Sequence, residues 1–147
     1  MNKRLKPLLT FVLLLHVCVG KTVFAEVTEV DNDALQKLLA QGVAVIDVRR
    51  VDEWQNTGVI QGVHLLTFFD EQGRYDAKKW LAELKKIAPD DAPVVLICER
   101  GVRSKTIARL LDKRLGMAGI HNHSRGMAAW RAQGRPVVPV ASPVEQQ

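Results

Sequence analysis

Cysteine is scarce in this sequence: 147 residues contain two, Cys18 and Cys98. If Cys18 leaves with an N-terminal leader, no internal disulfide can form and Cys98 has no bridge to explain it. A lone thiol in an oxidising compartment is a chemical liability, so its retention points to reactivity. A charge excess is missing too. Four of the 21 Lys and Arg side chains (Lys3, Arg4, Lys6 and Lys21) lie in residues 1–25 with no acid among them, against 16 acidic side chains in the whole chain. Without those four the net charge drops from +5 to +1. Such a balance excludes the broad basic face of a nucleic-acid binder. There is no internal repeat, and no apolar run reaches the roughly 20 residues that span a bilayer. What is present, 47% hydrophobic and 25% charged residues, is ordinary globular composition on a length that fits one domain.

The first 25 residues read as a signal peptide. A cationic start, Asn2 to Lys6, precedes an apolar run from Leu8 to Val19 that only Thr10 and His16 interrupt. Val23-Phe24-Ala25 then offers modest residues at the two positions a signal peptidase reads, which places cleavage after Ala25, with Gly20 as an alternative. Val17 is too bulky beside Cys18 for a lipoprotein signal. The expectation is export to the periplasm with no stable membrane insertion after cleavage.

Helical and strand patterns alternate along the remainder. Asp31-Asn32-Asp33 supplies N-caps for a helix over 34–40, with Leu35, Leu38 and Leu39 on one face and Gly42 as a stop. Ala44 to Val48 is a nearly unbroken apolar run suited to a strand covered on both faces. After a polar stretch at Asp52-Glu53-Trp54, a short strand is predicted at 64–66. A helix follows over 76–88, with Trp80, Leu81, Leu84 and Ile87 at helical spacing. Pro93 to Ile97 is a second buried strand, and a helix over 104–111 closes near Gly116. A strand at 120–123, a short helix at 127–132 and a flexible tail over 138–147 complete the chain. This alternation implies an α/β fold, a mostly parallel central sheet with helices on both faces. In such sheets ligands bind beyond the carboxyl ends of the strands, where Cys98 sits.

The segment Cys98-Glu99-Arg100-Gly101-Val102-Arg103-Ser104 turns from a strand into a helix. Backbone amides there have no intrahelical partner, and with the helix dipole they favour an anion, here a thiolate. Gly101 lets the loop curl so that amides converge, and Arg100, Arg103 and Lys105 add positive potential. Such a site keeps a sulfur nucleophilic and also binds an anionic substrate, as a double-displacement cycle through a persulfide requires.

This loop resembles the active-site loop of the rhodanese family, whose single-domain members commonly show cysteine, two variable residues, glycine, one variable residue, arginine and serine. Ile46-Asp47-Val48-Arg49 with Glu53-Trp54, the glycine-spaced Gly58 to Val63, and Gly126 to Trp130 with Gly134-Arg135-Pro136 are similar to further family signatures, in order. The resemblance runs from about Val30 to Val137 and defines a domain over 26–137. It implies a three-layer rhodanese-like fold and a sulfurtransferase with Cys98 as the persulfide-bearing nucleophile. It also implies a substrate cradle of Glu99, Arg100, Gly101, Val102, Arg103 and Ser104, and no cofactor or metal. The donor is expected to be a small sulfur anion such as thiosulfate, and the acceptor a thiol or cyanide. Asp47, Arg49 and Glu53 are expected to form an ionic network behind the pocket. One departure stands out: the family's first paired glycine is Arg125 here, placed either to line the pocket or to crowd it. Glu99 is unusual beside a thiolate and is expected to face solvent or to pair with Arg100 or Arg103.

Bland readings compete with these. Cys98 could be a buried structural cysteine, and Trp54, Trp80 and Trp130 read as core aromatics. His121 and His123 share a strand face, but no third and fourth metal ligands stand at useful spacing. Phosphatases and arsenate reductases place five residues between cysteine and arginine; only four separate Cys98 from Arg103, a smaller ring suited to sulfur. A polysulfide carrier that delivers to a protein partner, and a non-catalytic binding module, remain as alternatives.

Overall fold

The structure is a computed structural model that describes residues 27–89 and 92–140. The expected signal peptide and residues 141–147 of the expected tail lie outside the described residues. Five strands, β1 (Thr28–Val30), β2 (Ala44–Asp47), β3 (His64–Leu65), β4 (Val94–Ile97) and β5 (Ile120–His123), form one sheet in the order β1-β5-β4-β2-β3. Every pairing is parallel. The helices are α1 (Asn32–Ala40), α2 (Val51–Thr57), α3 (Ala77–Ile87), α4 (Val102–Leu115) and α5 (Gly126–Ala132).

The period-two alternation of strand side chains divides the core into two layers. Ile46, Val48, Val94 and Leu96 pack with Trp80 and Leu84 of α3 and Ile107 and Leu111 of α4. Val45, Val95 and Ile97 pack on the opposite face with Leu35 of α1 and Met127 and Trp130 of α5. Every residue of β4, the central strand, is buried, which explains its unbroken apolar sequence. The three tryptophans are core residues, each 6% exposed or less.

Most element positions agree with the sequence reading, and the differences have local causes. Asp31 caps α1 as expected, its carboxylate accepting from the Ala34 amide at 2.9 Å. Helix α2 carries only one buried side chain, Trp54, so it shows no amphipathic period to read. Strand β1 is a three-residue edge in which only Val30 is buried. Helix α4 starts at Val102, two residues earlier than predicted, because left-handed Gly101 (φ 81°) is its N-cap. Val138, expected to open the tail, instead exchanges backbone hydrogen bonds with Val59 at 2.8 and 3.0 Å. No described helix is long and apolar enough to cross a membrane.

Candidate functional site

Cys98 follows the last residue of β4 and is 1% exposed. Its Sγ accepts from the Ser104 amide at 3.4 Å and from the Ser104 hydroxyl at 3.2 Å. Ser104 is itself fully buried in the first turn of α4. Both donors stabilise negative charge on the sulfur, with the helix N-terminus behind them.

The loop between strand and helix is held open by partners outside it. Met127 and Ala128 amides, in the first turn of α5, donate to the Cys98 and Glu99 carbonyls, both at 2.9 Å. Asn122 on β5, fully buried, donates from Nδ2 to the Gly101 carbonyl at 3.2 Å and to Glu29 at 2.8 Å. Two glycines permit this approach. A side chain on Gly101 would strike the Ser124 carbonyl, and one on Gly126 (φ 60°) would strike the Cys98 and Glu99 backbone. Three loop carbonyls are thus turned toward α5 and β5, away from the sulfur.

Cys98 opens into a cleft of about 340 Å³ lined by Glu53, Cys98, Glu99, Arg100, Val102 and Arg103. Its charges are arranged differently from the sequence expectation. Arg103 does not stand free as an anion ligand: its guanidinium donates twice to Glu53, at 2.8 and 2.5 Å. Burial opposes ionisation of Glu53, but its bonds from Arg103 and the Arg50 amide prevail and hold its carboxyl below the usual range. The same hydrogen bond raises the Arg103 pKa further above its ordinary value. Glu99 neither faces open solvent alone nor pairs with Arg100 or Arg103. It receives two bonds from Arg131 of α5, at 2.5 and 3.3 Å, with Arg49 Nη1 at 3.6 Å. Lys105 is drawn off by Glu29 at 2.8 Å.

Asp47 and Arg49 are both fully buried behind the cleft. Arg49 donates Nε and Nη2 to the Asp47 carboxylate at 2.8–3.0 Å, and its remaining donors reach Thr57 at 2.7 Å and the Gly58 carbonyl at 2.8 Å. A buried pair offsets its desolvation only when donors and acceptors are satisfied this fully. The pair locks β2 to the end of α2, and thereby Glu53 to the cleft wall. Glu53 itself faces Arg103 and lines the cleft, rather than completing the network behind it.

Arg125 does not line the cleft. It is the exposed N-cap of α5, at a backbone position that the neighbouring contacts set against the Cys98 loop. Arg100 and Val102 sit at the mouth, Arg100 exposed and without an ion-pair partner among the described residues, and Val102 70% exposed. The sequence reading missed Asn122 and Arg131; a polar residue inside a buried strand was the available signal for Asn122. On the far side of Asn122, His123 is 1% exposed, and its Nε2 meets Asn32 Oδ1 at 2.8 Å. Asn32 Nδ2 donates to Ala129 and Gln133, so its oxygen is the acceptor and the imidazole proton is assigned to Nε2. Burial pushes the His123 pKa down to about 4. Among the described residues, no three His, Cys, Asp or Glu side chains form a metal-binding group.

The rhodanese-like domain model matches residues 31–133, and the chain belongs to that family. Among solved structures, it is similar to a rhodanese-like domain protein from Staphylococcus aureus, at 20% identity with a TM-score of 0.57 over 78% of this chain and 99% of that one. A protein from M. tuberculosis matches at 24% identity and a TM-score of 0.61, over 78% and 99% of the two chains. The polysulfide-sulfur transferase homodimer from Wolinella succinogenes matches at 22% identity and 0.59, over 84% and 87%. At these identities the likeness concerns the fold. None of the curated proteins matches the sequence.

Proposed function

We propose that this protein is an exported sulfurtransferase that carries sulfane sulfur as a persulfide on Cys98, with thiosulfate or a similar sulfur anion as donor. The observation that carries this reading is the pair of Ser104 donors on Cys98 Sγ at the floor of an open cleft. In the first half-reaction the Cys98 thiolate attacks the outer sulfur of thiosulfate. A sulfur–sulfur bond forms on Cys98, the donor's own sulfur–sulfur bond breaks, and its electron pair leaves with sulfite. Ser104 keeps its two donors on Sγ, and the N-terminus of α4 favours the negative charge that now rests on the outer sulfur. A thiophile, a thiol or cyanide, then removes that sulfur and restores the thiolate. The signal-like residues 1–25 support a periplasmic location, where a single unpaired thiol fits a catalytic use.

A second reading is sulfur carriage from polysulfide to a protein partner. Glu53 and Glu99 lie in the cleft wall and occupy Arg103 and Arg131, so an anionic donor of either kind meets fewer free cations than the loop sequence promised.

Intact mass of the purified protein before and after thiosulfate tests the proposal, with Cys98→Ser as control. The expected result is a gain of about 32 Da, one sulfur, that cyanide removes and the variant lacks. A gain with polysulfide alone would transfer the protein to the carrier reading. No gain with either donor would overturn sulfur transfer and leave a binding module.

A further inference from the structure

The acidic groups in and around the cleft are already engaged. Glu53 holds Arg103, Glu99 holds Arg131, Asp52 holds Arg50 and Asp47 holds Arg49. Arg100 and Arg125 have no such partner among the described residues, and both are exposed. Their backbones lie side by side. Ser124 abuts Gly101, and Gly126 abuts Cys98 and Glu99, which sets Arg125 across from Arg100 in the adjoining segment. The Met127 and Ala128 amide bonds to the same loop fix this juxtaposition. Arg100 therefore lines the Cys98 cleft beside the exposed side chain of Val102, and the exposed Arg125 is carried on the backbone segment packed against that loop, outside the cleft lining.

We propose that Arg100 and Arg125 form a cationic lip that selects the sulfur acceptor, favouring thiols that carry carboxylates near the reacting sulfur. This rests on the persulfide reading above and deepens it by naming the acceptor class. In the discharge step the acceptor thiolate attacks the outer sulfur of the Cys98 persulfide. A bond forms between acceptor sulfur and sulfane sulfur, the Cys98 Sγ–sulfane bond breaks, and its electron pair returns to Cys98 as thiolate. One anionic sulfur attacks another, so the encounter is opposed by repulsion that nearby fixed cations relieve. Guanidinium forks also match carboxylates in geometry, which neutral or cationic thiols cannot exploit. The lip is placed for the acceptor rather than for the sulfur itself, because Arg125 stands outside the cleft that Cys98 opens into.

The test uses protein preloaded with sulfur and three acceptor thiols of different charge: mercaptosuccinate, 2-mercaptoethanol and cysteamine. Discharge is followed by intact mass. Comparing each thiol between wild type and an Arg100→Ala/Arg125→Ala variant cancels the thiols' intrinsic reactivities. The mercaptosuccinate-to-mercaptoethanol rate ratio should fall about tenfold in the double variant and roughly threefold in each single one. The cysteamine ratio should rise, and added salt should shrink every difference. Equal effects on all three thiols would overturn the lip while leaving sulfur transfer intact. A second arm needs no persulfide: alkylation of Cys98 by iodoacetate relative to iodoacetamide. That ratio should fall by a similar factor in the double variant, and an unchanged ratio would sink the proposal even if no donor loads Cys98. Both arginines are exposed and unpaired, so matching melting curves are expected for all variants.

Discussion

At the residue scale the chemistry is concentrated on one contact pair. The amide and the hydroxyl of Ser104 both donate to Cys98 Sγ, and both residues are shielded from water. Replacing the hydroxyl by a methyl in Ser104→Ala keeps the amide donor and removes the shorter bond. Persulfide formation should slow about tenfold, which corresponds to roughly 1.4 kcal/mol, the scale of one hydrogen bond to a charged group. Stopped-flow release of sulfite measures this, while a melting curve close to wild type shows that the fold is unchanged. An undiminished rate would mean that the helix amides alone stabilise the sulfur. The sequence identified Cys98 and Ser104 through local spacing, since both belong to one short loop. It could not decide the partners of Glu99 and Arg103, because Arg131 and Glu53 come from α5 and α2, 32 and 50 positions away.

At the element scale the cradle depends on the close approach of α5 to the Cys98 loop. Gly126 sits at φ 60°, and any Cβ there would meet the Cys98 and Glu99 backbone. Gly126→Ala combines a left-handed backbone penalty of about 1–2 kcal/mol with that collision. The chain can relieve it only by moving α5 away from the carbonyls of Cys98 and Glu99. Urea denaturation should therefore show a loss of at least about 2 kcal/mol. Persulfide loading of the remaining folded protein should drop further than that loss explains, since the loop itself is displaced. A stability loss with normal loading in the folded fraction would show that α5 braces the fold and not the loop. The same approach explains what was legible. Long elements with a hydrophobic period, such as α3 and β4, were readable from sequence, whereas α2 and β1 were not. Each of those two buries a single apolar side chain, and their existence is decided by what they pack against.

At the scale of the whole molecule, one buried histidine ties stability to pH. His123 of β5 ties to Asn32 of α1, which in turn reaches α5 at Ala129. Its pKa of about 4 in the folded protein lies below the ordinary histidine value of 6.5. The folded state therefore binds fewer protons than the unfolded chain between those limits, and stability rises with pH across that window. The contribution is complete above pH 6.5 and is lost as pH falls toward 4, on the order of 3 kcal/mol in all. Denaturation midpoints measured from pH 7 to pH 4.5 should decline in the wild type and decline less in His123→Gln. Parallel profiles would show that other groups govern the acid limb. The sequence by itself determined the alternating α/β order, the buried central strand and the cysteine at its end, because periodicity and turn residues are local properties. Only the tertiary structure decided which charges cancel, since ion pairing depends on segments brought together by the sheet. The apparently cationic loop thus meets Glu53 and Glu99 in its own cleft wall, and of its two arginines Arg103 is paired and Arg100 alone has no ion-pair partner among the described residues.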